Sequence, residues 1–179
     1  MEKKVNFYSV IIGTELLNGR RNDAHFSFLN KQLLQRGWEQ KASFVINDDP
    51  KLMFDIFNLI KSDPNSVMFC FGGIGATPDD YTREVAGKVF TNGKMEFHEE
   101  AKNRIINQFG DEAFPHRINM AYLPINAKLL TNVVNNVAGF YLEDRFFFTP
   151  GFPSMSQAMV IEALDKLYPK SDIQKYRKV

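Results

Sequence analysis

Cysteine is nearly absent: one residue in 179, Cys70. A lone cysteine excludes an internal disulfide and any paired-cysteine metal or redox site. Its place in the apolar run Val67-Met68-Phe69-Cys70-Phe71 marks it as an inert buried thiol. Long hydrophobic runs are missing too. No stretch approaches the roughly 18 apolar residues that a membrane-crossing helix needs. The apolar segment behind Lys3 and Lys4 breaks at Gly13-Thr14-Glu15, too early for a secretory leader, so a cytoplasmic location is expected. Neither sign of charge dominates. Twenty-two basic and 21 acidic side chains leave a formal net charge of +1. A nucleic-acid binder usually shows a basic stripe and an isoelectric point above about 9, so neither nucleic acid nor membrane is an expected partner. The basic run Lys170 to Lys178 is terminal and reads as a solvated tail. Tryptophan occurs once against 17 phenylalanines, most of them inside apolar periodic runs, which points to core packing.

The remaining composition, 44% hydrophobic and 24% charged, is that of an ordinary globular protein. Phe7 to Ile12 reads as a buried strand stopped by Gly13. Phe26, Leu29, Leu33 and Leu34 repeat at helical spacing within 23–36, and Gly37 ends that helix. Trp38 to Ile46 is extended. Asp49-Pro50 is a strong helix start for a segment running to about Lys61. Val67 to Phe71 is again a strand. This β-α-β-α-β order favours a parallel sheet with right-handed crossovers. Further on, the pattern predicts helices over 82–90 and 97–109, a loop over 111–116 and a short strand over 127–130. It also predicts a hairpin, Gly139–Leu142 with Phe146–Thr149, at one sheet edge, and a last helix capped by Ser154. The expected fold is a single three-layer α/β/α domain over residues 1–179, mostly parallel, with an antiparallel edge hairpin.

The most informative stretch, Gly72-Gly73-Ile74-Gly75-Ala76-Thr77-Pro78-Asp79-Asp80-Tyr81-Thr82-Arg83-Glu84, follows a strand and leads into a helix. Ligands of open α/β sheets sit outside the carboxyl ends of strands. Glycines there let the backbone approach an anion and offer it N–H groups. No Lys-Ser or Lys-Thr follows, which excludes a P-loop, and Pro78 stands where the dinucleotide fingerprint has its third glycine. Asp79 and Asp80 would repel a phosphate unless a divalent cation bridges them. Either aspartate is equally placed to cap the next helix, so the pair reads two ways.

The stretch 72–84 resembles the GG-x-G-xTP-x-D-xTxEA signature of the MogA, MoaB and CinA proteins and of the matching domain in eukaryotic FAD synthases. Gly13 to Gly19 is similar to the GDELLxG opening of CinA, Arg117 to Pro124 to its R-x-x-x-A-x-x-P segment, Asn132 to Phe140 to its N-x-x-G-x-APG-F loop, and Thr149 to Ser154 to its LPGVPSEM. The ordered blocks span nearly the whole chain, and the opening together with Ile74 lies nearer CinA than MogA or MoaB. Thr14 departs from the pattern's Asp, Ala76 from a Pro, Val137-Ala138-Gly139 from APG, and His25 from an Asn. A histidine near a helix start reads as solvated or capping.

The resemblance implies a molybdopterin-binding type of domain, and with it a metal-dependent pyrophosphatase acting on a nucleotide diphosphate such as ADP-ribose or FAD. It also admits molybdopterin adenylylation or a non-catalytic ligand-binding module. By match, Asp80 and Asp48 are the catalytic and metal-holding carboxylates, for Mg²⁺ or a similar ion. Contacts to a phosphorylated small molecule, molybdopterin or a nucleotide, fall on Gly72, Gly73, Gly75, Thr77, Thr82, Glu84, Gly151 and Pro153. The amides of Gly73 and Gly75 would steady phosphate charge, with Arg83, Arg20 or Arg117 as a cationic clamp. A homo-oligomer is expected, as is the absence of the carboxy-terminal deamidase domain that many CinA proteins carry.

Overall fold

Ser66–Phe71, a strand buried at every residue, lies in the middle of the sheet because both its faces are apolar. The computed structural model describes residues 4–171. In chain order it has β1 (Asn6–Ile12), α1 (Thr14–Leu17), α2 (His25–Gln35), β2 (Gln40–Ile46), α3 (Pro50–Lys61), β3 (Ser66–Phe71), α4 (Thr82–Phe90), β4 (Met95–Phe97) and α5 (Glu99–Phe109). Two 3₁₀ turns follow, Gly110–Ala113 and Arg117–Ala121, then β5 (Tyr122–Pro124), β6 (Lys128–Leu130), β7 (Gly139–Leu142), β8 (Phe146–Thr149) and α6 (Pro153–Leu167). The main sheet runs β2-β1-β3-β8-β7-β6. The pairs β1·β2, β1·β3 and β3·β8 are parallel, and β8·β7 and β7·β6 antiparallel.

Strand alternation sorts the core into two layers. Phe7, Ile11, Val67, Phe69, Phe71 and Phe147 face Leu29 and Leu33 of α2 and Met159, Val160 and Leu164 of α6. Tyr8, Val10, Met68, Cys70, Phe146 and Phe148 face Met53 and Phe57 of α3 and Val85 and Val89 of α4. Eight phenylalanines are buried: Phe7, Phe57, Phe69, Phe71, Phe140, Phe146, Phe147 and Phe148. Each contributes about 1.5–3 kcal/mol relative to an exposed ring. Burial also pushes the Cys70 thiol well up, which keeps it inert. Among the described residues no helix is long and apolar enough to cross a membrane.

The fold is the expected three-layer α/β/α arrangement, with four local differences. The hairpin β7–β8 does not end the sheet, because β6 pairs outside it in register Leu129 to Phe140. Phe97 is not helical. It closes β4, which pairs antiparallel with β5, and the helix starts at Glu99 with the His98 side chain accepting from the Ala101 amide at 3.3 Å. Ser154 caps nothing. Phe152 is the residue before the helix, and Pro153 opens α6 because its fixed φ suits the first turn. The single turn α1 had no signal in the pattern. Most of the basic run 170–178 lies outside the described residues.

Candidate functional site

β2, β1, β3 and β8 run parallel, so the loops after all of them emerge at one edge. Between β1 and β3 the strand order reverses: β2 lies to one side of β1, β3 and β8 to the other. Loops on the two sides of such a switch point part and leave a crevice at the carboxyl ends of the strands. A cavity of about 510 Å³ opens there, within the usual range of roughly 300–1,000 Å³ for small-molecule sites. Its floor is the glycine loop after β3. Around it stand Gly13 and Glu15 after β1, Asp48 after β2, and Pro150 to Phe152 after β8.

The glycines are needed for separate reasons. Gly72 (φ 103°) and Gly73 (φ 72°) are in the left-handed region. A Cβ on Gly72 would lie 2.6 Å from the Ile12 carbonyl oxygen, and one on Gly75 would lie 2.7 Å from Asp80 Oδ2. Buried Thr82 holds the start of the loop, its hydroxyl donating to the Gly72 carbonyl at 2.9 Å and its amide to the Gly73 carbonyl at 3.0 Å. Arg83 holds the rest. Its Nη1 donates to the Ile74 carbonyl and, at 2.7 Å, to that of Gly75. In a planar trans peptide the N–H points opposite to the C=O. Arg83 therefore turns the amides of Gly75 and Ala76 away from itself, and both residues line the cavity. Among the described residues, the amides of Gly73, Ile74, Gly75 and Ala76 donate to no protein acceptor. Burial lowers the Arg83 pKa and the Asp80 charge opposes that shift.

Four carboxylates, Glu15, Asp48, Asp79 and Asp80, share the cavity wall with one guanidinium, Arg21. Neither aspartate of the pair caps α4; the residue before that helix is Tyr81, and it makes no side-chain cap. Instead the pair fixes the turn: Asp80 Oδ2 accepts from the Thr77 amide at 2.9 Å and hydroxyl at 2.7 Å, and Asp79 Oδ1 from the same hydroxyl at 2.5 Å. That hydroxyl, with the Asp79 amide, lowers the Asp79 pKa. Asp48 Oδ2 accepts from the Thr14 amide at 3.1 Å and hydroxyl at 2.9 Å. Among the described residues no three His, Cys, Asp or Glu side chains converge on one point. The donor set thus lacks a closed cage of the zinc type. It fits a hard cation that takes one or two carboxylates and draws its other ligands from phosphate and water, as Mg²⁺ does.

Of the residues picked from the sequence, Asp80, Asp48, Gly72, Gly73, Gly75, Thr77 and Gly151 meet in this cavity. Three do not reach it. Thr82 is fully buried behind the glycines, Glu84 is an exposed partner of Lys88 at 3.0 Å, and Pro153 begins α6 on the far side of Gly151. The expected arginine clamp is absent as drawn: Arg83 grips carbonyls, Arg117 pairs with Glu112 at 2.9 Å and packs on Phe109, and Arg20 is off the wall. The wall's own cation is Arg21, which the motif blocks do not contain. His25 is buried, not solvated: Nε2 meets the Gly151 carbonyl at 3.0 Å, Nδ1 the Ser156 hydroxyl at 3.4 Å, and the ring stacks on Phe71. Burial, its largest influence, lowers the His25 pKa. Glu15, within the Gly13 to Gly19 opening, also reaches the wall. Phe109 and Met120 come from the 109–120 segment, which the chain carries to the site only by folding back.

Residues 9–169 match the family model described as a probable molybdopterin binding domain. A CinA-like protein of Geotalea uraniireducens is 30% identical over 161 residues, covering 86% of this chain and 37% of that protein. A protein of Caldivirga maquilingensis is 31% identical over 168 residues, covering 89% and 64%. The chain thus spans less than two thirds of the length of either relative. The structure of a CinA protein of unknown function from Thermoplasma acidophilum superposes with a TM-score of 0.79 at 25% identity, covering 90% of this chain and 97% of that one. MoaB of Pyrococcus furiosus, a tungsten cofactor synthesizing protein, shares the fold with a TM-score of 0.56 at 19% identity, covering 93% of each. With its signature loop at the carboxyl edge of the sheet and these relatives around it, the chain belongs to the molybdopterin-binding domain family, as a CinA-like member.

Proposed function

We propose that the cavity binds a nucleotide diphosphate, of the class of ADP-ribose or FAD, and hydrolyses its pyrophosphate bond with a divalent cation. The observation that carries the reading is the juxtaposition of unpaired loop amides with acidic side chains in one cavity. Amides aimed by Arg83 are an anion site. Four carboxylates against one guanidinium are the opposite, and only a cation between them and the phosphates reconciles the two. Asp80 and Asp48 are the residues that would hold Mg²⁺ or a similar ion, which supplies charge neutralisation and activation of the attacking water. The chain's own part is to orient the diphosphate on the Gly75 and Ala76 amides and to keep the acidic turn rigid through Thr77. Asp79, held ionised by the Thr77 hydroxyl, adds a fixed negative charge beside Asp80.

A second reading has its own support. Thr14, where the CinA opening has aspartate, gives Asp48 a neutral donor in place of a second charge. One carboxylate fewer weakens ion binding, which favours a non-catalytic module for a nucleotide or molybdopterin. The family's description favours molybdopterin as ligand. A hydrolysis screen of ADP-ribose and FAD with Mg²⁺, Mn²⁺ and Co²⁺ separates the two. We expect metal-dependent release of AMP; tight binding without turnover under every metal would establish the binding module instead.

A further inference from the structure

We infer that Phe152, with Arg21, is the stacking platform for the planar ring of the ligand: a purine, flavin or pterin. The inference rests on the proposed reading of the cavity as a nucleotide site and adds the part that reads the base. Of the five phenylalanines that stand exposed, Phe26, Phe54, Phe97, Phe114 and Phe152, only Phe152 belongs to the cavity wall, and at 58% it is the most exposed of them. It is also fixed. Proline follows it, restricting it to the extended region it occupies (φ −91°, ψ 119°). Gly151 before it lies in ordinary contact with the glycine loop, an added Cβ standing 3.5 Å from Gly72 Cα, and His25 Nε2 meets the Gly151 carbonyl at 3.0 Å. The backbone that carries the ring is therefore held beside the phosphate-facing loop.

Arg21 is the second half of the platform. Its guanidinium lies over the Phe152 ring, 5.7 Å from the centroid. A guanidinium plane and an aromatic face are the surfaces on which nucleobases stack without regard to their hydrogen-bonding edge. The nearby wall is apolar where a ring needs it, with Phe109, Met120, Val137 and Met155. At the position of Phe152 the LPGVPSEM pattern of the CinA proteins has valine, so the platform is a feature of this chain's own sequence. Phe152 and Arg21 then set which ring is accepted, while Gly75, Ala76 and the carboxylates hold what all such ligands share.

The test is calorimetric titration of the full chain with ADP, FMN and inorganic pyrophosphate in Mg²⁺, comparing wild type with Phe152→Ala, Phe152→Tyr and Arg21→Ala. Stacking on one aromatic makes a base bind on the order of 5- to 150-fold tighter. Phe152→Ala should lose about that much for ADP or FMN, leave pyrophosphate unchanged, and be rescued by Phe152→Tyr. Arg21→Ala should weaken the ring ligands in the same direction. The better binder of ADP and FMN identifies the ring. Equal weakening of ADP and pyrophosphate in Phe152→Ala would make the residue a support of the loop and overturn the inference. So would equal wild-type affinity for ADP, FMN and pyrophosphate, which would leave the phosphate site standing. Failure of all three to bind would overturn the nucleotide reading and the platform with it.

Discussion

The two ends of the sheet are built from the same kinds of side chain and treat them oppositely. At the amino end the charged side chains of Asp63 and Arg145 are consumed. Asp63, in the turn before β3, accepts from Asn6 Nδ2 and Tyr8 Oη at 2.8 Å, Lys41 Nζ at 3.2 Å and the Asn65 amide at 3.0 Å. Arg145 beside it donates to the carbonyls of Ser66 and Asp63 and to the Ser66 hydroxyl. At the carboxyl end four carboxylates stand on a cavity wall, and the loop amides have no protein acceptor among the described residues. A carboxylate saturated by donors is a staple between β1, β2 and β3. At the carboxyl end each aspartate of the wall accepts from a threonine of its own or the neighbouring loop and still lines the cavity with the unpaired amides. Residue type alone does not separate them; satisfaction does.

The contrast can be broken from either side. The largest expected effect is at the open end: Asp80→Asn should cut metal-dependent turnover on the order of 10²–10³-fold, the cost of deleting one charge-stabilising group. Its melting temperature should hardly move, because the amide oxygen can still accept from Thr77. Steady-state kinetics and calorimetry on the same sample check both halves, and unchanged turnover in an active protein would assign Asp80 to the turn alone. Asp48→Asn should lose less, since Asp80 lies against the glycine loop, its Oδ2 2.7 Å from where a Gly75 Cβ would stand, whereas Asp48 comes from the neighbouring loop after β2.

At the closed end the signs reverse. Asp63→Ala should cost about 2–3 kcal/mol of stability, the scale of hydrogen bonds to a charged group. It should leave ligand affinity intact, as chemical denaturation and titration would reveal. Loss of binding in a folded Asp63→Ala protein would mean that the two ends are coupled.

The smallest effect sharpens the comparison by pH. Burial lowers the His25 pKa, so the unfolded chain takes up the proton first and stability falls as pH drops below about 6.5, by at most about 1.4 kcal/mol per pH unit. Asp63 titrates later. Burial alone would raise its carboxyl, but the donors from Tyr8, Asn6, Asn65 and Lys41 outweigh that and hold it well below the usual carboxylate range. Its contribution is complete above about pH 4 and is lost as pH falls further. Denaturation midpoints across pH should thus show two acid steps. His25→Asn should remove the upper one and Asp63→Asn the lower; an unchanged upper step in His25→Asn would place that titration elsewhere.

How much of this was legible in sequence follows from which signals are local. Continuous apolar strands, the Asp49-Pro50 helix start and the glycine loop depend on neighbours in the chain, and each appeared where the pattern put it. β4 and β5 carry three residues each, too few to show an alternation, and exist because they pair with each other. The signature also named Thr82 and Glu84 together, and only burial distinguishes the hydroxyl behind the loop from the carboxylate in water.

By itself the sequence determined the α/β alternation, the family and the loop that carries the site, because periodicity and turn chemistry act within a few residues. Tertiary structure alone decided which charges remain free. Arg83 became a brace for two carbonyls, Arg21 the cavity's cation, His25 a buried strut under Gly151, and Phe152 an exposed ring beside the glycine loop. The physical reason is that a side chain's role is set by the acceptors and apolar surface that reach it, and these come from strands far apart in the chain.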